Sequence, residues 1–469
     1  MRRAGPARAP NAAAELSNLR TMKKAAVFTT ARDAGAPLAR SSAAFSGDRA
    51  WAENDLVCVE DDFEYQTIRG FGGAITESAA DTWKKLPAAQ RRRVVELCWD
   101  PRKGLGYTLG RVHMNSCDFS LGNWSCDDTP GDFALRDFSV AHYREAILPL
   151  LAAAQKAAGR PLWLLGSPWS PPAWMKTNGM MNEGGSLKPE CRDAWALFFA
   201  KFAKAMAREG FPLSAFTVQN EEKARQTWDS CVFTPEETRD FVRDHLGPAL
   251  KKAGLSKKIG LYFWDHNKER TLERARALLG DPAAAAFVAG IAVHWYSGDH
   301  FGQLRMFRER WPEKDILFSE CCCGIHERTE NDLWRQGEMY AHDIAGNLES
   351  GMTRWIDWNV LLDAQGGPNH VGNFCNAPLR ADAAFRTVAV QPSYRFIAHF
   401  SRFLRPGAVR LGCSSWTSDV EAVAARNADG SFAAVLLNRT DRALRPQLRF
   451  RGLLAPVDLP PHSIATVVW

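Results

Sequence analysis

The sequence predicts an α/β fold: a (β/α)8 barrel carrying a smaller antiparallel β-sandwich side domain. Two observations point there. Eight short apolar, β-prone runs alternate with amphipathic helical stretches from residue 66 onward, and the pattern changes to consecutive strand runs after about residue 385. A doubly wound open sheet is the alternative, but no glycine-rich phosphate fingerprint opens a helix in this chain.

In chain order the runs are "QTIRGFGGAIT" (66–76), "YTLGRVHMN" (107–115), "PLWLLGSPW" (161–169) and "LSAFTVQNE" (213–221). They continue with "KIGLYFWDHN" (258–267), "GIAVHWYS" (290–297), "DILFSE" (315–320) and "MTRWIDWN" (352–359). Helical crossovers lie between them, among them residues 140–159, 191–210 and 235–254. Residues 65–384 are therefore assigned to the barrel and 385–469 to a C-terminal β-sandwich, which includes the helix "SYRFIAHFSRFL" and a hairpin turning at Asp429-Gly430. Residues 46–64 supply one or more extra strands to that domain through "LVCVED". Residues 1–45, rich in Ala, Arg, Pro and Ser, are expected to be largely disordered, and Met22 is a candidate start.

The 469 residues are 46% hydrophobic and 24% charged, ordinary globular material. A net charge of +6, dispersed along the chain, gives no footprint for nucleic acid. No apolar run approaches the ~20 residues of a membrane span, and "AAVF" after Met22-Lys-Lys is too short for the ~7–15 residue core of a signal peptide. A cytoplasmic location is the expectation, with export left open. Eleven cysteines without a CxxC pair or Cys/His ligand spacing read as free thiols, and no zinc site is expected.

Barrel enzymes keep their chemistry at the C-terminal strand ends. Polar residues there include Glu221 after the fourth run and Glu320 after the seventh, with Asn115, Asp118, Trp169, Asp265, His266, His294, Trp295 and Asp357 to Asn359 at others. In "TVQNEE", side chains two apart share a face. Thr217, Gln219 and Glu221 would face the barrel mouth, and Glu222 would point away or into the loop. A single strand-end glutamate can equally serve an arginine. Two converging on one cavity fit glycoside hydrolysis, where one carboxyl protonates the leaving oxygen and the other attacks the anomeric carbon. Trp169, Trp174, Trp228, Trp295 and Trp358 fall at or just past strand ends, where indole faces suit sugar rings as well as core packing.

These motifs, "RGFGGAITESAA", "SCDFS", "SPWSPPAWMKTNG", "TVQNE", "GIAVHWY", "FSE", "WIDWN" and "GGPN", resemble glycoside hydrolase family 30, most closely its glucosylceramidase-like (acid β-glucosidase) branch. The likeness runs from about Val57 to Trp469. It implies a retaining β-glycosidase with Glu221 as acid/base and Glu320 as nucleophile. It also implies that Asn220 serves the sugar 2-hydroxyl, that Asp118, Trp169, Trp358 and Asn373 contact the sugar, that Arg111 steadies the nucleophile, and that His294 lines the site. The substrate implied is a terminal β-glucoside, glucosylceramide first, with β-xylosidase, β-fucosidase and β-1,6-glucanase activities as alternatives. A catalytically inactive sugar-binding barrel is the alternative of a different class. No cofactor and no metal are expected. The partner is a glucoside or glucosylated lipid, with room for transient contact with a lipid surface; the oligomeric state is not legible. One departure stands out: Glu222 occupies the position of the proline usual after the acid/base. Its charge is expected to raise the pKa of Glu221.

Overall fold

The computed structural model describes residues 24–33, 35–49, 53–325 and 330–469, the side chains of 330–332 excepted. Two compact units emerge: residues 66–408, and residues up to 65 together with 409–469.

The first unit is a closed barrel of eight parallel strands: Gly70–Ala74, Leu109–Met114, Trp163–Pro168, Ala215–Thr217, Gly260–Asn267, Gly290–His294, Asp315–Glu320 and Arg354–Asn359. Each lies within one of the eight predicted runs. The eighth closes on the first with Arg354 opposite Gly70. Near their starts the strands turn Leu109, Leu165, Ala215, Tyr262, Ala292, Leu317 and Ile356 into one apolar cluster. Two residues later the same strands carry buried Arg111, Ser167, Thr217 and Ser319. The period-2 pleat thus stacks a polar layer on an apolar plug and aims it at the C-terminal mouth. Close strand approach explains "GFGG": a Cβ on Gly72 would sit 2.3 Å from the Leu109 carbonyl oxygen.

Outside the barrel, helix Arg192–Arg208 lays Phe199 and Phe202 on outward-facing Phe216, with ring centroids 5.0 and 6.3 Å apart. The helix expected over 235–254 starts with a Thr234/Glu237 capping box and Pro235 in its first turn. It does not run through as one α-helix. It passes into a π-turn at Val242–Leu246 before resuming as Gly247–Lys252, where Pro248 supplies no N–H. No helix among the described residues is long and apolar enough to cross a membrane.

The second unit is a ten-stranded, mostly antiparallel sheet wrapped around its own core, which contains Val27, Val57, Val59, Leu411, Leu436 and Val467. Here the expectation of disorder through residue 45 fails. Lys24–Ala31 pairs antiparallel with both Ala39–Ala44 and the C-terminal strand Ser463–Val468. Composition misled because these Ala-rich strands gain their order from ladder hydrogen bonds and from alternate burial of Ala25 and Val27, not from a strong apolar run. The part of that expectation covering residues 1–23 lies outside the described residues. The boundary at 385 also moves. Helix Pro392–Ser401 belongs to the barrel unit, where Phe396 packs 5.1 Å from Trp334. The turn at Asp429-Gly430 does join a hairpin, Val420–Arg426 to Phe432–Asn438, with Gly430 at φ +85°.

Candidate active site

The fourth strand ends at Thr217, but its backbone stays in the barrel lattice for four more residues. Val218 N–H donates to Tyr262 O, Asn220 N–H to Pro168 O and Glu221 N–H to Asp265 O, each at 2.8–2.9 Å. The chain then turns, and Glu221 adopts φ +49°, a left-handed conformation costly for a residue with a side chain. Glu221 and its neighbour Asn220 both line a cavity of about 360 Å³ at the barrel mouth, while Gln219 turns instead to the Trp169 carbonyl. Alternation therefore predicted the right side for Glu221, but a turn rather than the pleat delivers it there.

Glu222 is fully buried on the other side. It accepts hydrogen bonds from Trp264 N–H (3.0 Å), Thr238 Oγ1 (2.9 Å) and Arg274 Nη1 (3.2 Å). Burial raises its carboxyl to about 7 against the pull of Arg274. It does not act as expected on Glu221, which moves the opposite way. In place of a proline that would lock φ, the chain ties this loop to the next strand and two helices. Glu222→Ala is expected to cost about 3–5 kcal/mol, since it strands a buried guanidinium. Urea unfolding with an unchanged midpoint would contradict that.

Around the cavity the remaining predicted residues assemble. Arg111, wholly buried, donates from Nη1 to Glu320 Oε2 (2.5 Å), from Nη2 to Asp265 Oδ2 (2.8 Å) and Asn220 Oδ1 (2.9 Å), and from Nε to Ser167 Oγ (3.0 Å). Its guanidinium carbon lies 4.7 and 5.4 Å from the ring centres of Trp169 and Trp358, which stack on each other at 5.0 Å. Asn373 Nδ2 donates to Asp118 Oδ2 at 3.0 Å, leaving buried Oδ1 without a protein partner. Burial, with repulsion from Glu320, raises Asp118 to about 8, so this carboxyl is largely neutral at pH 7 and can donate as well as accept.

The two predicted glutamates meet at His294. Its Nδ1 is 3.3 Å from Glu221 Oε1 and 3.9 Å from Glu320 Oε1, so those oxygens are no farther apart than the sum of the two distances. Its Nε2 is 3.0 Å from Asp265 Oδ1. Burial alone would raise Asp265, but the Arg111 charge and hydrogen bonds from His294 and Ser319 hold it well below the usual carboxylate range. An ionised Asp265 leaves the proton on Nε2. Burial disfavours the imidazolium, yet the Glu320 charge and the contacts with Asp265 and Glu221 lift His294 to about 9. Its unfolded value is 6.5, so the stability it contributes is complete below that pH and is lost as pH rises through about 9. His294→Gln is expected to flatten the alkaline limb of a thermal-stability series; an unchanged slope would contradict the assignment.

Burial raises both glutamates. For Glu221, the contacts with His294 and His266 outweigh it and the net shift is downward. For Glu320, repulsion from Glu221 and Asp265 adds to burial, and the net shift is upward despite His294 and Arg111. The site therefore resists holding both carboxylates ionised.

All nine predicted site residues belong to this cluster. Of the five tryptophans at strand ends, Trp169, Trp228 and Trp358 line the cavity. Trp174 instead donates to Asp127 O, and Trp295 to Cys322 O, so both brace loops. Asn115 donates to the Ser170 carbonyl, outside the cavity. Sequence reasoning missed Tyr296, whose hydroxyl donates to Glu320 Oε1 at 2.9 Å. It stands two residues after His294, and carrying the alternation past the strand end would have found it. Asp265 and His266 were visible as strand-end residues, but nothing in their spacing told of the contacts with Arg111, His294 and Glu221. Among the described residues, one group has metal-ligand chemistry: Glu221, His266 and His294, with donor atoms within 4.8 Å of one another.

A barrel whose polar mouth gathers two glutamates, an arginine and stacked tryptophans is the arrangement of a glycoside hydrolase. Comparison with known proteins agrees. The glycosyl hydrolase family 30 TIM-barrel domain matches residues 68–404 and that family's beta sandwich domain residues 407–467, so the chain belongs to glycosyl hydrolase family 30. It is 34% identical to the lysosomal acid glucosylceramidase of Mus musculus, over 88% of this chain and 83% of that protein. It is 31% identical to an endo-1,6-beta-D-glucanase of Neurospora crassa, over 80% of this chain and 79% of that one. Among solved structures, SrfJ from Salmonella typhimurium superposes with a TM-score of 0.91 at 34% identity, over 95% of this chain and 99% of that one.

Proposed function

We propose that the site hydrolyses terminal β-linked glucosides with retention of configuration, Glu320 acting as nucleophile and Glu221 as acid/base. The observation that carries this reading is the meeting of the two carboxylates on one imidazole nitrogen at the cavity wall, with Arg111 and Tyr296 each donating to Glu320 and neither to Glu221. A carboxylate so held keeps one oxygen lobe aimed and its charge balanced, as attack on an anomeric carbon requires.

In the first step a Glu320 oxygen bonds to C1 as the C1–O bond to the aglycone breaks. Glu221 gives its proton to the departing oxygen. In the second, Glu221 takes a proton from water, and the hydroxide displaces Glu320 from C1. Glu221 must carry the proton when substrate is bound, although in the empty site its contacts with His294 and His266 lower its pKa while burial raises that of Glu320. His294 Nδ1 lies beside both oxygens and is placed to pass it. Asn220, its Oδ1 engaged by Arg111, keeps its amide N–H groups for the 2-hydroxyl. The unpaired Asp118 Oδ1 and the Trp169–Trp358 stack serve the outer hydroxyls and the ring face.

The aglycone is the finer question. Glucosylceramide is the first choice, supported by the relative named a glucosylceramidase and by the apolar faces of Trp228, Tyr296 and Phe374 on the cavity wall. A β-1,6-linked glucose unit is the second, supported by the relative named an endo-1,6-glucanase. The deciding measurement is kcat/KM for glucosylceramide in detergent beside a β-1,6 glucose disaccharide and the aryl glucoside, xyloside and fucoside. Glucosides should exceed xylosides by at least ~10-fold, because an absent hydroxymethyl leaves polar groups of the pocket unpaired. A faster xyloside or fucoside would overturn the glucose assignment, and turnover of the disaccharide alone among the natural candidates would overturn the lipid one.

A further inference from the structure

The mouth of the cavity holds more nitrogen than a two-carboxylate mechanism uses. His266 Nδ1 is buried, has no hydrogen-bond partner, and stands 3.6 Å from Glu221 Oε1. That same oxygen is 3.3 Å from His294 Nδ1, and Glu320 Oε1 is 3.9 Å from it. The far nitrogen of His294 is tied to Asp265, which Arg111 and Ser319 in turn fix. A carboxylate behind an imidazole orients the ring and makes its front nitrogen a better ligand. Two imidazole nitrogens and a carboxylate oxygen thus converge, a second carboxylate stands at the fourth side, and the outward direction is open to the cavity.

We propose that Glu221, His266 and His294, with Glu320 available as a fourth ligand, form a binding site for a borderline divalent transition cation such as Zn²⁺ or Co²⁺, and that its occupation blocks the hydrolytic site. A cation ~2.0–2.2 Å from each donor in a tetrahedron needs donors roughly 3.3–3.6 Å apart. The distances around Glu221 Oε1 already match, and the group as a whole lies within 4.8 Å. The cation takes the place of the proton on His294 Nδ1, which passes to solvent. Mixed imidazole and carboxylate ligands favour zinc, cobalt or copper over magnesium and calcium. Inhibition rests on the proposed roles of Glu221 and Glu320; cation binding does not.

The test titrates the full-length, chelator-stripped protein with Co²⁺ and follows its visible spectrum, then repeats the titration calorimetrically with Zn²⁺. One equivalent should bind, giving the visible bands of a nitrogen/oxygen site without a thiolate-to-metal band. That absence would set this site apart from the nearby Cys322 and Cys375, whose sulfurs are 3.2 Å apart. His266→Ala should weaken binding by at least ~10-fold, and His266→Gln should not restore it. Folding of each variant is checked by its thermal melt. A thiolate band, or affinity unchanged in both variants, would overturn the site. In wild type, Zn²⁺ should compete with aryl glucoside, and chelator should restore activity rather than abolish it. Binding without competition would overturn the proposed block. No hydrolysis even in the stripped enzyme would instead count against the proposed function and leave the cation site standing.

Discussion

Glu320→Ala is expected to lower kcat on an aryl β-glucoside by at least about 10⁴-fold, since no covalent intermediate can form. A 2-deoxy-2-fluoro glucoside should label wild-type Glu320 and leave the variant unlabelled. Glu221→Ala should differ in kind. It should lose about 10²–10⁴-fold on substrates with poor leaving groups and far less on activated ones, because only the former need the proton. Azide should recover part of its activity, entering where the carboxylate stood and giving a β-glycosyl azide. Inactivity of Glu222→Ala with an active Glu221→Ala would reverse the assignment. So would a label on any residue other than Glu320.

The second large effect is expected at Arg111. Its five N–H groups sit between two buried acids, an amide and a serine, and its guanidinium lies against the stacked pair Trp169 and Trp358. Arg111→Ala would leave Asp265 and Glu320 buried with His294 alone as counter-charge, at a cost of about 3–5 kcal/mol. Urea unfolding should register this as a lowered midpoint with an unchanged slope. Arg111→Lys keeps the charge but not the planar fork. It should recover much of the stability while kcat stays low, because one ammonium cannot hold Glu320, Asp265 and Asn220 in register. Wild-type stability in Arg111→Ala would show that Asp265 and Glu320 are carried by other groups. Equal kcat in Arg111→Lys and wild type would show that charge alone suffices.

The barrel was legible along the chain because its signal is local. Strand runs such as "DILFSE" and helices such as Arg192–Arg208 carry their periodicity in adjacent residues, and all eight strands fall where that periodicity puts them. Glu221, Glu320 and Asp118 were legible for a related reason. Barrel topology sends the C-terminal ends of all strands to one mouth, so position along a strand already locates a side chain in space. Family motifs then supplied roles that residue spacing alone could not.

Three features needed the folded chain. Lys24–Ala31 takes its place in the sheet between the nearby Ala39–Ala44 and Ser463–Val468, the latter more than 400 residues away. Glu222 is a structural ligand of Arg274 rather than a charge acting on Glu221, since the turn at φ +49° throws the two neighbours to opposite sides. His266 joins Glu221 and His294 only where the fifth and sixth strands close beside the fourth. Sequence determined the barrel strands, their order and most of the side chains they send to the mouth, because those depend on patterns a few residues long. Tertiary structure decided which edge a weak strand joins, which acid is buried against which base, and how protons are shared among Glu221, Glu320, Asp265 and His294, because Coulomb and hydrogen-bond energies depend on distances of 2.5–4 Å between groups far apart in the chain.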